Sequence, residues 1–73
     1  MKKQQAMNLF NDTCLLMRKY MKHEQPQKFA SMWVTYKRLL RECEYYDIEI
    51  PDTTDISNYA EKEHIERYGF QKQ

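Results

Sequence analysis

Apolar residues recur along the first third of the chain in a helical rhythm. Met7, Phe10, Cys14, Met17 and Met21 follow alternating steps of three and four residues, which aligns them on one seam of a helix. Ala6, Leu9, Thr13, Leu16 and Tyr20 lie beside that seam and widen it to nearly half the circumference. Asn8, Asn11, Asp12, Arg18, Lys19 and Lys22 occupy the other side. A stripe this wide calls for two packing neighbours rather than one. The pattern predicts a helix over about residues 3–23.

The second third repeats the rhythm with Phe29, Met32, Tyr36, Leu39, Cys43 and Tyr46, flanked by Trp33 and Leu40. Pro26 suits the first turn of this helix, where a missing N–H costs nothing. The polar side carries Lys37, Arg38, Arg41, Glu42 and Glu44, and the predicted span is 26–46. The connection His23-Glu24-Gln25-Pro26-Gln27 is short, so the two helices are expected to be antiparallel neighbours. Folding the pair about Gln25 sets Met21 opposite Phe29, Met17 opposite Trp33, Cys14 opposite Tyr36, Phe10 opposite Leu40 and Met7 opposite Cys43.

Beyond Tyr46 the pattern weakens. Asp47-Ile48-Glu49-Ile50-Pro51 alternates and reads as an extended linker over 47–54, with Pro51 disfavouring helix at Ile50. A short third helix is expected over about 56–68, capped by Asp55 or Asn58; Asn58 and Glu61 have capping-box spacing. Gly69 then stands where a left-handed C-cap belongs. The apolar positions Ile56, Tyr59, Ala60, Ile65 and Tyr68 make a poor stripe.

The expected fold is therefore all-α: an antiparallel helical hairpin plus a short third helix, in a single domain covering 1–73. A chain of 73 residues buries only about 60% of the surface its unfolded form exposes, so its core is small. No run approaches the roughly 20 apolar residues of a membrane span, and the basic N-terminus is not followed by the apolar stretch of a signal peptide. The expectation is a cytoplasmic protein with reduced thiols and no membrane partner. The hairpin register separates Cys14 from Cys43 by about two turns, on the order of 10 Å, which is beyond disulfide reach.

Charge divides the chain in two. Residues 1–41 hold nine Lys/Arg against two acids, a balance of +7, and residues 42–73 hold three against nine, a balance of −6. Either the acidic third folds back on the basic hairpin, or the two halves serve separate partners. Catalytic chemistry finds little footing. Cys14, His23, Cys43 and His64 lack the close pairs of structural zinc sites. A cysteine with His64 is the one nucleophile and base pair worth naming, and one glycine excludes a phosphate-cradling loop. No catalytic residue, metal or cofactor is assigned. The methionines at helical spacing read as core.

The candidate surface is basic and aromatic. Arg18, Lys19 and Lys22 lie outside the first helix, and Lys37, Arg38 and Arg41 lie outside the second, with Tyr45 a turn beyond. Tyr59 and Tyr68 add aromatic candidates from the third segment. Arginine and tyrosine exposed together suit protein hot spots, and equally suit phosphate backbones and stacked bases. The turn carries none of the glycine of a helix-turn-helix. The sequence thus points to a non-catalytic helical adaptor or inhibitor that binds another protein. An accessory nucleic-acid binder using the basic hairpin is the alternative, a self-assembling structural protein is a third candidate, and a homodimer is among the partners considered.

Overall fold

The computed structural model describes residues 2–68 and contains, among them, three α-helices and one 3-10 turn: α1 (Lys3–Lys22), α2 (Pro26–Tyr45), α3 (Thr54–Lys62) and the turn Ile65–Arg67. The two long helices pack against each other as an antiparallel hairpin, and α3 with the 3-10 turn covers one side of it. The molecule is thin, 31 × 26 × 16 Å between Cα extremes, as two layers of helix require.

Both heptad seams face inward. Phe10, Cys14 and Met17 of α1 and Phe29, Tyr36, Leu39 and Cys43 of α2 are buried. Met7, Met21, Met32 and Tyr46 at the ends and edges are half-buried. An aromatic row runs along the hairpin: Phe10 stacks on Tyr36 at 5.7 Å, Tyr36 on Trp33 at 5.3 Å, and Trp33 on Phe29 at 6.1 Å. Tyr59 of α3 then meets Phe29 edge-on at 4.8 Å. Offset and edge contacts of this kind add about 0.5–1.5 kcal/mol each beyond area burial. The stack sets Phe10 one turn from its expected partner Leu40. At the open end the register holds closer, with the Cys43 thiol 4.0 Å from the Ala6 carbonyl. Cys14 and Cys43 are both free and buried, and burial pushes both thiols up from their ordinary range.

The third segment departs from expectation at both ends. Its helix begins at Thr54, not 56, because the Asp52 carboxylate accepts hydrogen bonds from the Thr54 N–H at 2.9 Å and hydroxyl at 2.6 Å. Asp55 and Asn58 thus lie inside the helix, and neither caps it. The helix ends at Lys62 instead of continuing to 68. Geometry explains the early stop: Ile65 is nine residues after Ile56, so on one continuous helix the two would point in opposite directions. A left-handed residue at His64 (φ 52°) turns the chain, and both isoleucines become fully buried. Gly69 lies outside the described residues.

Every helix closes on a left-handed residue that is not glycine: Glu24 (φ 53°), Asp47 (φ 58°) and His64 (φ 52°). After α1, Glu24 N–H donates to Met21 C=O at 3.1 Å and Gln25 N–H to Tyr20 C=O at 2.9 Å. After α2, Asp47 N–H donates to Glu44 C=O and Ile48 N–H to Cys43 C=O in the same geometry. These bonds satisfy the orphan carbonyls, yet the Cβ atoms cost roughly 1–2 kcal/mol each, least for aspartate. Glu24→Gly and His64→Gly are therefore expected to stabilise the fold by about 0.5–1 kcal/mol each. Thermal denaturation followed by circular dichroism measures this, and the gain for Asp47→Gly should be the smallest of the three.

Candidate partner-binding surface

The acidic third does fold back, and it engages two of the basic candidates. Arg18 grips α3 at its N-terminal end: its Nε donates to Asp55 Oδ2 at 2.9 Å, and a terminal NH2 donates to Asp55 Oδ1 and the Asp52 carbonyl, each at 3.1 Å. Hydrogen bonding from Arg18 holds the Asp55 carboxyl below the usual carboxylate range. On the other edge, Lys37 approaches Glu66 at 3.9 Å and lies 5.9 Å over the Trp33 ring. Arg18 is half-buried, which follows from its place on the α1 flank that faces α3.

Because the folded pKa of Asp55 is depressed, the ion pair stabilises the fold above the ordinary aspartate range. Its contribution fades as pH falls below about 4. With the two side chains 37% and 48% exposed, the effect is under about 1 kcal/mol. Asp55→Asn is expected to lower the melting temperature at pH 7 and to converge on the unaltered chain as acid protonates the Asp55 carboxylate. A gap that persists at acid pH would show that Asp55 acts through something other than its charge.

Tyr59 and Tyr68 also turn inward. Both are half-buried against the core, and desolvation raises the phenol of Tyr59. Their rings pack against the core. Lys19, Lys22, Arg38 and Arg41 remain exposed, and among the described residues none of the four forms an ion pair within 4.0 Å. They do not form one patch. Helices that pack face to face turn their outer faces away from each other, so the α1 lysines and the α2 arginines point in different directions.

What does come together is a ridge along the outside of α2. Val34, Arg38, Arg41 and Tyr45 repeat the four-three-four spacing of the buried seam, on the opposite side of the same helix. Val34 is 44% exposed and Tyr45 is 80% exposed. Tyr45 rests edge-on against the half-buried Tyr46 ring at 5.1 Å, which holds it upright at the helix end. The adjacent tyrosines thus divide the work, one inward and one outward. Val34 escapes a search for charged and aromatic residues. Its spacing from Arg38, Arg41 and Tyr45 was the available signal.

A cleft of about 450 Å³ lies where α2 meets α3 and the 3-10 turn, with Trp33, Ala60, His64 and Ile65 among its walls. Trp33 Nε1 is buried without a hydrogen-bond partner among the described residues. Neither cysteine lines this cleft, and His64 stands exposed on its left-handed turn. Among the described residues no three His, Cys, Asp or Glu side chains gather as metal ligands, and no helix is long and apolar enough to cross a membrane. Comparison with protein families, curated proteins and solved structures finds no match to this chain.

Proposed function

We propose that the protein is a non-catalytic helical adaptor or inhibitor that binds another protein through the outer face of α2. The observation that carries this reading is the Val34-Arg38-Arg41-Tyr45 ridge. It combines two cations that form no ion pair among the described residues with apolar side chains exposed at its ends, and arginine and tyrosine are the residues that dominate binding hot spots. Tyrosine contributes large contact area with only two side-chain torsions to fix. The rigid helix beneath holds the four side chains in register, which lowers the ordering cost of association.

A nucleic-acid surface would draw on all six basic candidates at once. Two of them, Arg18 and Lys37, are matched by carboxylates of the acidic third, and the rest divide between two directions. The test is affinity capture from lysate with the full chain, before and after nuclease, beside a variant carrying Arg38→Ala, Arg41→Ala and Tyr45→Ala. The expected result is a protein partner that survives nuclease and is lost with the triple variant. Capture that disappears with nuclease would replace this reading with phosphate binding.

A further inference from the structure

We infer that the side of the hairpin turned away from α3 docks a second copy of this chain. The covered side is defined by Arg18 of α1 and Trp33 and Lys37 of α2, which meet α3 and the 3-10 turn. Half a turn around each helix, the other side presents Leu9, Leu16 and Tyr20 of α1 and Met32 of α2. Leu9 is 40% exposed, and the other three are half-buried. This is the second neighbour that the wide stripe of α1 called for, and α3 does not supply it.

Charge identifies the occupant. Exposed Lys28 lies on this side and exposed Lys19 at its outer α1 rim, both toward the hairpin turn, while half-buried Glu42 lies on it and exposed Asp12 at the same α1 rim, both toward its open end. The midpoint of Asp12 and Lys19 falls between Leu15 and Leu16, and the midpoint of Lys28 and Glu42 falls at Thr35. In the antiparallel hairpin these midpoints lie at similar heights, within about one helical turn. A two-fold axis crossing both helices there lays α1 on α1 and α2 on α2, antiparallel. It brings Lys19 to the other copy's Asp12 and Lys28 to the other copy's Glu42, twice each. The same rotation sets Leu16 on Leu16 and Leu9 toward Tyr20. A surface complementary to itself under one two-fold is what an isologous dimer requires.

Area is sufficient. Two 20-residue helices side by side offer a face about 30 Å by 20 Å, on the order of 600 Å² per partner, the lower end of stable interfaces. The product is an antiparallel four-helix arrangement with each α3 on the outside. Both α2 ridges stay open in it, so the dimer presents the proposed binding surface twice.

Sedimentation of the full chain across roughly 1–200 µM tests the inference. The expected result is a rise from monomer to dimer mass, with Leu16→Glu weakening association at least about tenfold. Asp12→Lys alone should weaken it similarly, while Asp12→Lys with Lys19→Asp should restore it to within about threefold. The charge exchange sits on exposed side chains, so it reads the interface without disturbing the core. Monomer mass at every concentration overturns the inference, as does a dimer indifferent to the Leu16 and Asp12 substitutions. A dimer broken instead by Tyr45→Ala would assign self-association to the α2 ridge and overturn it equally.

Discussion

Replacing Phe29 with alanine is expected to destabilise the protein by about 3–5 kcal/mol, as truncating a buried aromatic ring does. Phe29 is completely buried, and it joins α2 to α3. It stacks on Trp33 one turn along α2 and receives the edge of Tyr59 from α3. A domain of this length has roughly 4–11 kcal/mol of total stability, so the loss takes a large share of it. The melting temperature should fall by more than about 12 °C, and chemical denaturation should show a lower midpoint. Tyr45→Ala on the exposed ridge is the control and should change stability by under about 0.5 kcal/mol. A Phe29 variant that melts with the control would mean that the aromatic row adds nothing to cohesion.

The hairpin was legible because its two helices obey a single rule over many residues. The spacing that joins Phe10, Cys14 and Met17, and that joins Phe29, Tyr36, Leu39 and Cys43, admits no strand reading, and all seven are buried. The third segment was harder because its apolar residues obey no single period. Ile56 and Ala60 fit a helix, Ile65 does not, and only a left-handed break at His64 reconciles them. The poor stripe was itself the mark of that break, which no glycine or proline announced. The candidate surface was misplaced in part. Arg18 looked like an outer residue on the helical wheel, but a wide stripe has two flanks, and the fold-back puts α3 on the flank that holds Arg18. Tyr59 and Tyr68 were drawn inward for a similar reason, since so small a core uses every aromatic edge it can reach. Burial beside the hairpin depends on where the third layer lies, and helical period alone does not fix that.

The largest effect expected is that of ending the chain at Tyr46, which leaves both long helices intact in sequence. Such a fragment keeps the hairpin seams but loses Ile56, Ala60 and Ile65 from the core, and with them the cover over Phe29, Trp33 and Tyr36. Each buried isoleucine contributes about 1.5–3 kcal/mol through its own burial. Exposure of the aromatic row removes a comparable amount again, and together these losses approach the stability of the whole domain. The bonds from Arg18 to Asp55 and Asp52 and from Tyr36 to Thr53 go as well. The fragment should therefore show weak helicity and a broad, non-cooperative melt, since in proteins most helical stability comes from tertiary packing rather than from helix propensity. Ile65→Ala in the full chain asks the same question more gently. It removes one side chain from a three-residue turn and should still cost about 2–4 kcal/mol, as a core isoleucine does. Full helicity with a cooperative melt in the fragment, or a mild Ile65 variant, would make the hairpin autonomous and the acidic third a detachable cover. Loss in both places makes the third segment a structural layer, whose carboxylates neutralise Arg18 and Lys37 because its isoleucines must reach the core.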